Sequence, residues 1–278
     1  MIIEKIYESK TRKIRNTPCN SNRASMLGDP CIRRLVYERT RWDEKQIYDV
    51  YKQLLFDEGS NQEIIVLRDL AAAGFEIYEQ QRPFEVRDLQ ITGHVDLKLK
   101  IPGDESNRLY PTEIKSMAPH IFSRINSLKD FYNSPYRWLQ KYPAQLLLYM
   151  LAANEDRGVF ILKNKSSGAL KEIWVDMDWD LANELYDKAA KINWYIQENV
   201  LPEQISDLDI CTECPFNHIC LPEKSFGPAF TDDQRNELME ITNRMGELKE
   251  SYLEYESLNQ QLKDLLKKWS HSHGLHKS

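Results

Sequence analysis

Two segments, ITGHVDLKLK at 91–100 and RLYPTEIKSM at 108–117, lie on either side of a loop containing Pro102 and Gly103 and leave this chain few ways to fold. In the first, Val95, Leu97 and Leu99 alternate with His94, Asp96, Lys98 and Lys100, the period-two pattern of a half-buried strand with Asp96 on its polar face. A short loop between two such segments predicts antiparallel neighbours. In the second, Glu113 and Lys115 stand two apart and share one side, while Ile114 faces the core. Pairing the segments lets Asp96 and Glu113 meet. The alternative is a surface strand whose neighbouring charges are simply solvated.

The flanking chain supplies helices. In DPCIRRLVYERT at 29–40, Asp29 is a candidate N-cap and Pro30 the first helical position, which places Cys31 in the first turn. A second helix is expected from about Asp43 to Ala73, ending at Gly74, followed by short strands within FEIYEQQRPFEVRD. After the strand pair come a loop-rich stretch with Pro119 and Pro135, a helix in YPAQLLLYMLAA, strands at GVFILKN and KEIWVDM, and a helix from Asp180 to about Val200. CTECPFNHIC at 211–220 reads as a loop. This order predicts an α/β, α+β-like fold with a central mixed sheet flanked by helices.

From Thr231 the pattern changes. Thr231 and Gln234 form a capping-box pair, and a heptad follows. Leu238, Met245, Tyr252, Asn259 and Leu266 fall at one core position, and Ile241, Leu248, Tyr255, Leu262 and Trp269 at the other. Asn259 is the kind of polar core residue that fixes register between paired helices. The expected organisation is a domain over 1–225, a coiled-coil-like long helix over 231–270 for a homo-oligomer or a partner protein, and a flexible tail over 271–278. Packing of the stripe on the chain's own domain is the alternative.

With 41% hydrophobic residues in 278, the chain can bury one good core. No apolar run approaches the ~18 residues needed to span a bilayer, so no membrane span is expected. MIIEKIYESKTRK at the start lacks a signal-type apolar region, and a cytoplasmic location is expected. Five cysteines in that compartment point to metal binding rather than to a disulfide framework. A net charge of −6 argues against a surface that attracts nucleic acid everywhere, but allows a local basic groove.

Two carboxylates on adjacent strands, with a lysine beside the second, suit Mg²⁺ or Mn²⁺, hard cations that take oxygen ligands. Such a site suits phosphodiester hydrolysis. Asp96 with Glu113-Ile114-Lys115 resembles the D…(D/E)xK signature of the PD-(D/E)XK nuclease superfamily. Gln145 and Tyr149, four apart on one helix face with Lys141 a turn earlier, resemble the Q-x-x-x-Y motif of RecB-like nucleases. EGSNQEIIVLRDL resembles the family's G-x-x-x-H motif, except that Gly59 is followed at the histidine position by Glu63, itself a hard oxygen donor. Cys31 with Cys211, Cys214 and Cys220 resembles the cysteine set of the iron–sulfur RecB-like exonucleases, including the CRISPR-associated type and the AddB nuclease domain.

The resemblance implies a restriction-endonuclease-like core and a metal-dependent DNA exonuclease acting on single-stranded DNA or free, frayed ends. Its process would be repair, recombination, phage replication or CRISPR adaptation. It implies that Glu63, Asp96, Glu113 and the Ile114 carbonyl hold the metal, that Lys115 assists the attacking water, and that Gln145 and Tyr149 orient the substrate. Cys31, Cys211, Cys214 and Cys220 would hold a [4Fe–4S] cluster as a structural staple. Four thiolates suit structural Zn²⁺ as well, and His218 is a possible replacement ligand. Cys19 is left as the fifth thiol. Arg33, Arg34, Arg39, Arg41, Arg124, Lys129, Arg137 and Lys141 are candidate phosphate contacts, and Tyr132, Tyr136, Trp138 and Tyr142 candidate stacking residues. The rival reading is a catalytically silent DNA-binding or assembly subunit that uses the fold as scaffold and the C-terminal helix for partner binding.

Overall fold

A computed structural model of the chain describes residues 1–224 and 232–272. The chain divides into two compact units, Met1–Pro222 and Glu223–Ser278. In the first, helix α1 (Ile2–Thr11) lies along a later helix through a Tyr7–Tyr51 edge contact at 5.8 Å and the Lys10–Asp57 ion pair. A two-residue strand β1 (Asn22–Arg23) leads into the short helix α2 (Ala24–Leu27) and then α3 (Ile32–Thr40).

The start of α3 differs from the sequence expectation by two residues. Asp29 does not cap the helix; its carboxylate accepts the Cys31 N–H at 3.0 Å, and Cys31 becomes the N-cap, its sulfur accepting the Arg34 N–H at 3.4 Å. A 3-10 turn at Trp42–Glu44 also replaces the expected beginning of the next helix. Helix α4 (Val50–Ala72) starts instead at Asp49, whose side chain satisfies the otherwise orphaned Lys52 N–H at 2.9 Å. It ends before Gly74, which takes φ +87°.

Strands β2 (Glu76–Tyr78), β3 (Arg82–Val86), β4 (Ile91–Val95), β5 (Leu97–Lys100) and β6 (Tyr110–Met117) follow. Short helices α5 (Pro119–Phe122), α6 (Leu128–Tyr132) and α7 (Arg137–Gln140) lead to α8 (Tyr142–Ala153), then β7 (Arg157–Asn164) and β8 (Leu170–Asp176). Helix α9 (Trp179–Gln197) is capped by Asp178, and the 211–220 segment carries two short helices, α10 (Leu208–Thr212) and α11 (Asn217–Cys220), where a loop was expected.

The main sheet has the order β2-β5-β6-β7-β8; only β6 and β7 are parallel, and the crossover between them contains α5 to α8. A smaller sheet has the order β1-β4-β3. The expected fold class, a central mixed sheet flanked by helices, is the one observed. The stretch read as one strand at 91–100 is divided at Asp96: β4 pairs with β3 in the small sheet, while β5 pairs with β2 and β6 in the large one. Asp96 therefore sits where the chain changes sheets.

Both faces of β6 are covered. Ile114, Leu97, Leu99 and Ile161 pack on Val66 and Leu67 of α4. On the opposite side, Met117, Phe160 and Leu162 pack with Leu146 and Met150 of α8. Leu147, Leu148 and Tyr149 of α8 turn the other way, onto Leu27, Leu35, Ile91 and Leu185. A helix apolar all round must be buried all round, and α8 is buried from Pro143 to Met150. It approaches closely enough that a side chain at Gly28 would come within 2.9 Å of the Lys141 Cα.

In the second unit the described element is α12 (Asp232–Ser272). Ile241, Met245, Leu248, Tyr252, Tyr255, Leu262 and Leu266 of the heptad stripe are exposed, and Asn259 is half-buried. Thr231, the side chains of Gln234, Leu238 and Trp269, and residues 273–278 of the expected tail lie outside the described residues.

Candidate metal and cysteine sites

Glu113 is the centre of the first site. The alternation that sends Ile114 into the α4 side of the core sends Glu113 toward α8, where it is 0% exposed. The solvated-strand alternative fails on that burial. An isolated buried carboxylate costs several kcal/mol, so its partners matter. Oε1 accepts a bond from Gln145 Nε2 at 2.6 Å and pairs with Lys115; Oε2 is buried without a hydrogen-bond partner among the described residues. The Glu113 carboxyl is raised to about 8: burial is the largest cause, Lys115 works against it, and the Asp96 and Glu63 charges add to the rise.

Lys115 feels two opposed effects. Burial works against its ammonium, but the adjacent Glu113 carboxylate wins and the pKa rises. Its Nζ also stands 4.8 Å from the centre of the Tyr142 ring, a cation–π contact. Gln145 donates a second bond, at 2.7 Å, to the Tyr149 hydroxyl, and Tyr149 packs edge-on against Phe84 at 5.4 Å. Burial and the Glu113 field raise the Tyr149 pKa, so it stays a neutral phenol. Gln145 and Tyr149 thus share a helix face, as expected; Gln145 bonds Glu113, and Tyr149 bonds Gln145.

Asp96 reaches the same end of the sheet. Its Oδ2 accepts the Ile114 N–H at 3.0 Å, which fixes the carboxylate beside the Glu113–Lys115 stretch. Glu63, half-buried on α4, is joined to Asp96 through Gln81, whose amide donates to Glu63 at 2.7 Å and to Asp96 at 3.4 Å. Burial and the Asp96 charge raise the Glu63 carboxyl. Sequence reasoning missed Gln81, a turn residue at φ +51°. It also did not anticipate Tyr142 as the ring under Lys115.

Three carboxylates against one ammonium leave an excess of negative charge, and the unpartnered Glu113 Oε2 is a buried oxygen donor. That donor set fits a hard divalent cation. Among the described residues no three His, Cys, Asp or Glu side chains are already gathered at ligand spacing. Binding would therefore draw Glu63 and Asp96 away from Gln81.

The four cysteines of the second site share one cavity. Cys31 comes from the α3 N-cap, Cys211 from α10, Cys214 from the following turn and Cys220 from the end of α11; Arg34 and Tyr37 are among the other residues of the wall. Burial pushes the Cys214 thiol up to about 11, against a downward pull from Arg34. Burial also raises Cys31, with smaller upward contributions from the fields of Cys220 and Cys211. The four thiols line one pocket without being gathered at ligand spacing; their chemistry, with a backbone N–H directed at the Cys31 sulfur, suits a thiophilic metal or cluster. His218 is exposed and is not part of this wall, while Cys19 lines a different cavity with Asn22 and Leu35.

Several expected phosphate contacts are committed elsewhere. Arg34 and Lys141 both pair with buried Asp29, at 3.0 and 2.8 Å; Arg39 bonds Asn193 at 2.6 Å; Arg33 bonds the Pro202 carbonyl at 2.6 Å; and Arg41 pairs with Glu44 at 2.7 Å. Arg137 makes a longer contact with Asp207 at 3.4 Å. Arg124 and Lys129 are exposed and make no ion pair with a described residue.

No helix among the described residues is long and apolar enough to cross a membrane. No family model matches the chain, and no curated protein matches it. Solved structures with a similar course include SSO0001, at 17% identity over 81% of this chain and 98% of that one, with a TM-score of 0.47. The alkaline exonuclease LHK-Exo from Laribacter hongkongensis is similar at 12% identity over 70% and 93%, with a TM-score of 0.44. Its complex with dAMP gives 13% identity over the same shares and the same score.

Proposed function

We propose that this chain is a divalent-metal-dependent deoxyribonuclease with a restriction-endonuclease-like core, acting as an exonuclease on single-stranded DNA or frayed ends in the cytoplasm. The observation that carries the reading is Glu113: a fully buried carboxylate with one oxygen unpartnered among the described residues, under the influence of Asp96, Glu63 and Lys115.

Glu63, Asp96, Glu113 and the Ile114 carbonyl would hold Mg²⁺ or Mn²⁺. When bound, such an ion supplies positive charge against phosphate oxygens and the acidity that makes water nucleophilic near neutral pH. The chain's own groups do the rest. Lys115, kept protonated by Glu113, acts as a hydrogen-bond donor that orients water or phosphate rather than as a base. Gln145, itself held by Tyr149, fixes the Glu113 oxygen that Lys115 also touches. Both residues work through Glu113 as positioning groups. Cys31, Cys211, Cys214 and Cys220 would hold a [4Fe–4S] cluster, or Zn²⁺ in its place, tying α3 to the 211–220 segment.

The direct test is cleavage of end-labelled single-stranded and duplex DNA with Mn²⁺ by the parent chain, Asp96→Ala and Asp96→Asn. Loss of cleavage in both variants supports the reading; equal cleavage by all three overturns it. One observation favours the second reading, a catalytically silent DNA-binding or assembly subunit: the exposed apolar stripe of α12, suited to a second copy or a partner protein. Mn²⁺ binding by the parent without any cleavage would select it.

A further inference from the structure

A chain of aromatic rings runs outward from Lys115. Its Nζ is 4.8 Å from the Tyr142 ring; Tyr142 to Trp138 is 5.7 Å, Trp138 to Tyr136 6.1 Å, and Tyr136 to His120 6.3 Å between ring centres. The Tyr136 hydroxyl and His120 Nε2 lie 3.3 Å apart, which fixes the outer end. Core packing accounts for part of this, since Tyr136 and Tyr142 both lie against the buried cluster around Phe131 and Leu146. It does not account for Trp138, which is 40% exposed and whose ring contacts among the described residues are to Tyr136 and Tyr142. Two-fifths of its surface stays open to solvent on a four-residue helix, so the indole, braced by two neighbouring rings close to the carboxylate site, presents part of a flat apolar face to a ligand.

We propose that this row is the binding track for single-stranded DNA, with Trp138 as its principal stacking residue and the strand directed toward Lys115. The proposal deepens the nuclease reading and rests on it for its direction. Successive rings are inclined by 68°, 40° and 60° and pack against one another, so bases can lie on their outer faces but not between them. Such faces are open to the unpaired bases of a single strand, whereas the base faces of a duplex are hidden within its stack. Arg124 shares a surface groove with Tyr136 and makes no ion pair with a described residue, so it is available to the backbone of such a strand. The row thereby selects strandedness, and sequence only weakly, because every base offers a π-face.

The test is fluorescence anisotropy of labelled oligothymidylate of ~20 nucleotides, and of a duplex of equal length, with the full chain in EDTA so that no cleavage intervenes. Trp138→Ala is expected to weaken single-strand binding roughly five- to a hundredfold, while Trp138→Phe keeps most of it and duplex binding moves little. Matching circular dichroism melts show that the variants are folded. Unchanged single-strand affinity in Trp138→Ala, an equal loss on the duplex, or no single-strand binding by the parent overturns the track. Because binding is read without metal or turnover, those results stand apart from the cleavage assay on which the nuclease reading depends.

Discussion

The Glu113–Gln145–Tyr149 chain can be tested through stability, without any assay of activity. Gln145→Leu keeps the volume of the side chain and removes both of its bonds. A hydrogen bond to a charged group contributes about 1.5–3 kcal/mol, and a buried hydroxyl left unsatisfied costs about 1–3 kcal/mol. Glu113 keeps Lys115 as a partner, so the two losses do not add in full; the expected destabilisation is about 2–4 kcal/mol. Tyr149→Phe, which leaves the Gln145–Glu113 bond in place, should cost about 1 kcal/mol. In the double variant the hydroxyl stranded by Gln145→Leu is gone, so the total should fall short of the sum by about 1–2 kcal/mol. Urea unfolding at about pH 9, above the raised Glu113 value so that the carboxylate is ionised, measures all four species in EDTA, provided the m-values agree. Additive effects, or a cost below about 0.5 kcal/mol for Gln145→Leu, would refute the bond chain.

The raised Glu113 carboxyl predicts a pH dependence. Below about 8 its proton competes with a cation, so Mn²⁺ affinity should climb by up to about tenfold per pH unit toward about pH 8 and then level off, as read by calorimetric titration. Without metal the same shift acts on folding in the opposite direction. Between the ordinary value of 4.5 and about 8 the folded carboxyl keeps a proton that the unfolded one has lost, so stability should fall as pH rises through that window, visible in thermal melts. Two glycine replacements should differ in sign. Gly59 lies inside α4 with nothing within 4 Å of an added Cβ, so Gly59→Ala should stabilise by about 0.5–1 kcal/mol in urea unfolding. At Gly28 the same methyl meets the Lys141 backbone at 2.9 Å, and Gly28→Ala should destabilise by about 1–3 kcal/mol.

The parts of the site legible in the sequence are those dictated by a short period. Alternation alone puts Ile114 opposite Glu113 and Lys115, and i to i+4 spacing alone puts Gln145 on the face of Tyr149. The antiparallel pairing of β5 with β6 follows from a short loop, and it is present with Leu97 opposite Thr112. Long-range packing is what the pattern does not encode. Nothing in ITGHVDLKLK announces that Asp96 is where the chain passes from one sheet to another, because both halves alternate alike. Nothing in YPTEIKSM announces that α8 seals the polar face of β6. The arginines of 33–41 look available for phosphate by composition, but Asp29, Asn193 and the Pro202 carbonyl, distant in sequence or hidden in a turn, engage three of them. Gln81 carries no motif at all; its role comes only from the turn that sets it between Glu63 and Asp96.

If Glu63, Asp96 and Glu113 gather around one divalent ion, anomalous scattering from a crystal of the chain grown with Mn²⁺ will show a manganese peak within coordination distance of all three carboxylates, with Gln81 released from Asp96. Manganese bound elsewhere, with Glu113 still enclosed by Gln145 and Lys115 and touching no ion, would contradict that arrangement.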